Sequence, residues 1–146
     1  MVAPGAYRVR LRSGSWREER PLTVRADPRV LKDGITPALL LEQERFNLEA
    51  RDLVTSARRL VFGVQRDRRR LEGARETGGD TLTRLQQLER VLVTSPIRYS
   101  EPALLTHITY LYTMSLQADQ AISRDARARL AVLRRELRAA ETARPR

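Results

Sequence analysis

The chain opens on an alternation. From Ala6 to Arg12, Tyr7, Val9 and Leu11 point one way and Arg8, Arg10 and Arg12 point the other. A period of two marks a half-buried strand. Ser13-Gly14-Ser15 is a turn cluster, after which Trp16, Leu22 and Val24 resume an extended pattern. Pro21 cannot donate to a ladder, so it implies an edge position or a bulge. The pattern predicts a hairpin with strands over residues 6–12 and 16–25. It closes at Asp27-Pro28, since a residue before proline is biased away from helix. A lone hairpin is marginal in water. Its apolar face (Tyr7, Val9, Leu11, Trp16, Leu22, Val24) needs cover, either from the helices or from strands that precede it. Its place at the start of the sequence suggests the tail of something longer.

From Thr36 the period lengthens. Thr36 is suited to an N-cap and Pro37 to the first helical position, where its missing N–H costs nothing. Leu39, Phe46, Leu53 and Leu60 recur every seven residues, and Ala50, Ala57, Val64 and Leu71 recur at the same interval, offset by four. Together they make one apolar seam of the kind that closes helix bundles. The helix is expected over 37–72, roughly 54 Å at 1.5 Å per residue. A loop at 73–80 contains Gly78-Gly79, and Asp80 or Thr81 caps the next helix, whose face is Leu82, Leu85, Leu88 and Leu92. Ser95-Pro96 stops it. Residues 95–102 form a connection, with Ser100 as a cap for a third helix. That helix has a seam at Leu104, Ile108, Leu111, Ala118 and Ile122, widened by Leu105 and Tyr112. Ser123-Arg124-Asp125 reads as a break with Ser123 as a cap. Ala126, Leu130, Leu133, Leu137 and Ala140 then continue the apolar spacing. Residues 100–142 form either one helix or two, and the tail from Thr142 to Arg146 is expected to fray.

The fold class is therefore mainly α: an antiparallel bundle of three to four helices, residues 34–146, preceded by an N-terminal β-hairpin, residues 1–33. Composition agrees and narrows the chemistry. At 146 residues with 41% hydrophobic and 32% charged residues, the chain can form a modest core and is not a disordered polyelectrolyte. It has no cysteine, which excludes disulfides, thiolate zinc sites and thiol catalysis. His107 is the single histidine, so a multi-histidine metal site is excluded as well. No secretory leader is visible at Met1-Val2-Ala3-Pro4-Gly5. The longest purely apolar run, Ala38-Leu39-Leu40-Leu41, is far too short to span a bilayer. If the chain works outside the cytoplasm, its export signal lies elsewhere.

The net charge of +10 raises nucleic acid or another polyanion as a partner. Against this, Lys32 is the only lysine among 28 basic residues, and the excess is spread along the whole chain. A polyanion site should concentrate charge. The one dense basic spot is Arg66, Arg68, Arg69 and Arg70. As a functional site it would hold an anion or an acidic partner face. As structure it is a helix C-terminus matched to its dipole, with Asp67 and Glu72 alongside.

Phosphate-cradling glycine motifs, the zinc-protease helix motif and the nucleophile elbow are all absent from the sequence. His107 sits among seam residues and reads as a packed or half-exposed helix residue. The acids of the first helix (Glu42, Glu44, Glu49, Asp52) alternate with arginines, as in ordinary surface pairs. No cofactor or metal is expected. A polar pocket converging on an acid and His107 would overturn this reading.

One stretch carries a resemblance. Pro4-Gly5-Ala6-Tyr7-Arg8-Val9-Arg10-Leu11, then Pro21-Leu22-Thr23-Val24, then Asp27-Pro28-Arg29-Val30 resembles the last hairpin of the Ig-like domain in bacterial sortilin-like, BNR-repeat β-propeller proteins, often labelled glycosyl hydrolases. A helical C-terminal region follows that hairpin in the family, and the helical order here is similar. The resemblance implies that residues 1–33 are the remnant of an Ig-like sandwich. It further implies that the chain is a non-catalytic C-terminal module, extracytoplasmic if part of the longer protein. The missing propeller and Ig-like region, or a separate protein, would be its partner. The family's functional residues belong to the propeller, so none can be carried onto this sequence. The family's pattern has Pro-Thr before the last helix, where this chain has Ser123-Arg124. The alternative is a basic helical protein that binds nucleic acid or another polyanion. Closure of the seams by self-association is a further expectation.

Overall fold

A computed structural model describes residues 2–73 and 79–145. It is mainly helical, with an N-terminal antiparallel hairpin followed by helices. Strand β1 (Gly5–Ser13) pairs with β2 (Trp16–Val24) in continuous register from Gly5↔Val24 to Ser13↔Trp16. The pairing has no bulge, so Pro21 sits on an edge strand. Gly14 has φ +58°, which supplies the left-handed first position of a two-residue primed turn. In this register Tyr7 lies opposite Leu22, and Val9, Leu11, Trp16 and Val24 share their face. The expected apolar face is therefore assembled, with Glu18 and Arg20 set into it.

The helices do not cover that face. Val9 is 51% exposed and Leu11 62%, and Trp16 and Leu22 are exposed with them. No hairpin residue enters the hydrophobic core cluster. Among the described residues only the base of the hairpin meets the helices: Ala3 is buried, and Val2–Pro4 and Arg25–Asp27 share a cleft of about 50 Å³ with Leu40 and Asp119. On the other face Glu19 is ringed by Arg8, Arg10 and Arg17, with Arg10 at 2.7 Å.

A one-turn helix that the periodicity did not reveal, α1 (Pro28–Lys32), follows. Asp27 stays extended, as the following proline requires, and its carboxylate accepts from the Arg29 N–H at 2.8 Å. Helix α2 (Pro37–Gly73) is the spine, and Thr36 Oγ1 accepts from Leu39 N–H at its start as expected. Its core face is Phe46, Ala50, Leu53, Val54, Ala57, Leu60 and Val64. Leu40 rather than Leu39 is the buried residue of the first turn.

Helix α3 (Gly79–Leu92) lies on the C-terminal half of α2, where Glu89 meets Gln65 and Arg68. Helix α4 (Leu104–Ser115) lies on the N-terminal half, where Ser115 meets Gln43. This leg thus runs opposite to α2, broken at residues 93–103. Helix α5 (Arg124–Ala143) returns alongside α2 in the same direction, through Arg127–Glu42, Arg134–Glu49 and Arg144–Asp67. Leu85, Leu88, Leu92, Leu104, Ile108, Ile122, Leu130, Leu133, Leu137 and Ala140 close the core.

Four local expectations are corrected. Helix α3 begins at Gly79, so Asp80 and Thr81 lie inside its first turn and Asp80 pairs with Arg84 instead of capping. The expected centre of the preceding loop, 74–78, lies outside the described residues. Ser100 does not cap α4. Its hydroxyl donates to Ile97 O, the N-cap position is Ala103, and the Ala103 N–H is taken by Thr94 Oγ1 at 2.9 Å. The third helix stops at Ser115 instead of reaching Ile122, because Gln43 captures backbone groups that a helix would pair internally. Residues 100–142 therefore hold two helices, and Ser123 does cap the second, accepting from Ala126 N–H at 3.0 Å. Finally, α5 continues to Ala143 instead of fraying at Thr142, and Arg144 is tied to Asp67 at 2.5 Å. Among the described residues no helix is long and apolar enough to cross a membrane.

Candidate functional site

The four arginines singled out from the sequence do not form one site. All lie near the C-terminal end of α2, but the helical period turns them to different sides. Arg68 faces α3, where it bonds Glu72 at 2.8 Å and lies 2.9 Å from Glu89. Gln65 donates to the other oxygen of Glu89. Arg68 is therefore a neutralised part of the α2–α3 contact. Arg66, Arg69 and Arg70 stay outside and exposed; Arg66 pairs with Asp67 at 3.1 Å.

A different set does converge. Thr55, Arg58, Arg59, Phe62 and Arg66 recur at intervals of three and four on the outer face of α2. With Arg144 they line a groove of about 580 Å³. Phe62 lines it and is 67% exposed. Arg58 and Arg59 make no ion pair among the described residues. Arg144 enters over Gly63, where an added Cβ would lie 2.7 Å from its guanidinium. Glycine at that point lets the tail cross the helix and reach Asp67. Two guanidinium groups, Arg144 foremost and Arg66 after it, hold the Asp67 carboxyl below its ordinary range. Arg58 and Arg59 were legible as charges, but only the helical period shows them framing an exposed aromatic.

A cleft of about 800 Å³ lies beside the 93–103 connection and is lined by Arg68, Glu89, Arg90, Arg98 and Tyr99 among others. Tyr99 has φ +64°, a left-handed conformation rare outside glycine. The Arg98 guanidinium sits 4.9 Å from its ring centroid. His107 shares another cleft, about 340 Å³, with Glu101 and Glu136. No hydrogen bond joins His107 to either carboxylate among the described residues. Glu136 faces Arg129 at 3.9 Å. Among the described residues no three metal-ligating side chains gather as a metal site would need.

A buried polar group escaped the sequence reading. Gln43 is fully buried, its amide nitrogen donating to Ser115 O at 2.8 Å and Ala118 O at 2.7 Å. Its oxygen accepts from Gln120 N–H at 3.1 Å. The signal was positional: 40, 43, 47, 50 and 54 continue one inward face. No protein-family model matches the chain, and no curated protein or solved structure matches it either.

Proposed function

We propose that this chain is a non-catalytic structural and interaction module, the C-terminal part of a sortilin-like β-propeller protein. The helices form its antiparallel bundle, and the hairpin completes an Ig-like sandwich with strands from upstream. One observation carries this reading. The helices bury their own seams, while the hairpin presents Val9, Leu11, Trp16 and Leu22 to solvent on a single face. Covering such side chains contributes about 1–2 kcal/mol each, and a two-stranded ribbon without cover is marginal.

Trp16 is the only tryptophan, so its fluorescence reports that face directly. In the isolated chain it should emit as a hydrated indole and be quenched by acrylamide. In a longer polypeptide carrying the upstream strands it should shift to shorter wavelength and resist quenching. Unchanged quenching in the longer polypeptide overturns the sandwich. Residues 34–146 alone should keep their helicity and melt cooperatively, and loss of both overturns an independent helical module.

A second reading, polyanion binding, rests on Arg58 and Arg59 standing beside exposed Phe62 with no ion pair among the described residues. It predicts affinity for DNA that falls steeply with salt. No binding at low salt removes it.

A further inference from the structure

We infer that the outer face of α2 is a self-association surface, on which a second copy of this chain packs antiparallel with its two-fold axis at Thr55. This is independent of the hairpin and of what covers it.

The outer face carries its own seven-residue stripe: Leu41, Leu48, Thr55, Phe62 and Arg69. It lies opposite the core seam and is exposed along its length, with Leu41 40%, Leu48 43% and Phe62 67% open to solvent. Large apolar side chains set in one line on a helix already satisfied on its other side mark an interaction surface.

Charge selects the occupant. The first half of α2, residues 37–54, has four acids and two arginines, and the second half, residues 55–73, has six arginines and two acids. A parallel copy would set Arg58 on Arg58, Arg66 on Arg66 and Glu44 on Glu44. A copy reversed about Thr55 brings Leu48 onto Phe62, Glu44 opposite Arg66 and Asp52 opposite Arg58. Leu41 then lies under the aliphatic stem of Arg69. Glu44 and Arg58 have no ion-pair partner within the chain among the described residues, so each gains one, while Arg66 and Asp52 share theirs with Asp67 and Arg51. Only Arg51 meets a like charge, Arg59, and Arg51 is held by its own Asp52 at 2.7 Å. An isologous two-fold contact of this kind closes as a dimer.

The absence of cysteine makes the test direct, since any introduced thiol is the only one. Thr55→Cys sits on the axis and should oxidise to a covalent dimer. Leu41→Cys should not, because the two thiols would lie about 42 Å apart along the helices. Sedimentation equilibrium of the full chain should show a reversible dimer at high micromolar concentration. Phe62→Glu should raise its dissociation constant about tenfold or more, with helicity unchanged. Leu11→Lys on the hairpin should leave the dimer intact. The inference is overturned by a wild-type chain that stays monomeric, by Leu41→Cys linking as readily as Thr55→Cys, or by a dimer that yields to Leu11→Lys and not to Phe62→Glu. A monomer that binds duplex DNA through Arg58 and Arg59 would overturn it in favour of a polyanion surface.

Discussion

Replacing Gln43 by leucine tests whether one buried amide sets where α4 ends. Gln43 has no exposed surface and spends all three of its bonds on the turn between α4 and α5. Leucine fills a similar volume and makes none of them. The Ser115 carbonyl belongs to a buried residue and is left without this partner, which costs about 2 kcal/mol. Ala118 and Gln120 are exposed and can turn to water, so losing their bonds costs about 0.5–1 kcal/mol each. The added apolar burial returns about 1 kcal/mol. The expected net loss is therefore about 2.5 kcal/mol, read from urea unfolding followed by helical ellipticity. Gln43→Glu sharpens the point. A carboxylate would set a second oxygen against the two carbonyls, so the folded state should raise its pKa above the ordinary glutamate value of about 4.3. An acid whose folded pKa is raised destabilises progressively as pH climbs past its unfolded pKa. Gln43→Glu should thus lie nearest wild type at about pH 4 and fall further behind by about pH 7. A Gln43→Leu chain within about 0.5 kcal/mol of wild type, or a Gln43→Glu penalty indifferent to pH, would mean that this amide does not hold the turn.

Asp67→Asn should cost about 1 kcal/mol at neutral pH, since the pair with Arg144 is mostly shielded from solvent. The folded pKa of Asp67 is depressed below 3.8, so this contribution is complete above that value and disappears as pH falls through the folded pKa; urea midpoints across the acid range check it. Gly63→Ala should gain about 1 kcal/mol of helix propensity and lose a similar amount by displacing Arg144. Its stability should therefore barely move, while Asp67→Asn added to it should cost far less than in wild type. Tyr99→Gly should match or slightly exceed wild type in melting temperature, because the left-handed backbone suits glycine. Tyr99→Ile, β-branched in the same conformation, should melt lower.

What could be read in advance divides along a physical line. Patterns of period two and period three-and-a-half are local and survived: the hairpin face, the α2 seam from Phe46 onward and the α5 seam bury or align as their spacing requires. Thr36 and Ser123 capped as expected because capping needs only neighbours in sequence. Ser100 does not cap because Thr94, two residues beyond the end of α3, takes the Ala103 N–H instead. The stop at Ser115 was hidden for the same reason, since the competing group, Gln43, lies 72 residues earlier. The arginine cluster was visible as composition, yet composition has no direction. The helical turn sends Arg68 to Glu89 and gathers Arg58, Arg59 and Arg66 with Arg144, which arrives from the other end of the chain.

The two open surfaces make different demands on whatever meets them. The hairpin face is a β surface whose strands also carry unpaired edge groups, and these need main-chain partners as well as apolar cover. Another strand pair satisfies both needs and a helix satisfies only one. The network of Glu19 with Arg8, Arg10 and Arg17 holds the opposite face in solvent, so only one side of the ribbon is left to be covered. The α2 face has no backbone left to pair, because its amides and carbonyls are spent within the helix. It asks only for apolar contact and reversed charge, which another α2 supplies. A partner suited to one surface is thus unsuited to the other. Covering the hairpin with an added strand pair should therefore leave the antiparallel contact at Thr55 untouched, and a change at both surfaces together would mean that the helices and hairpin act as one interface.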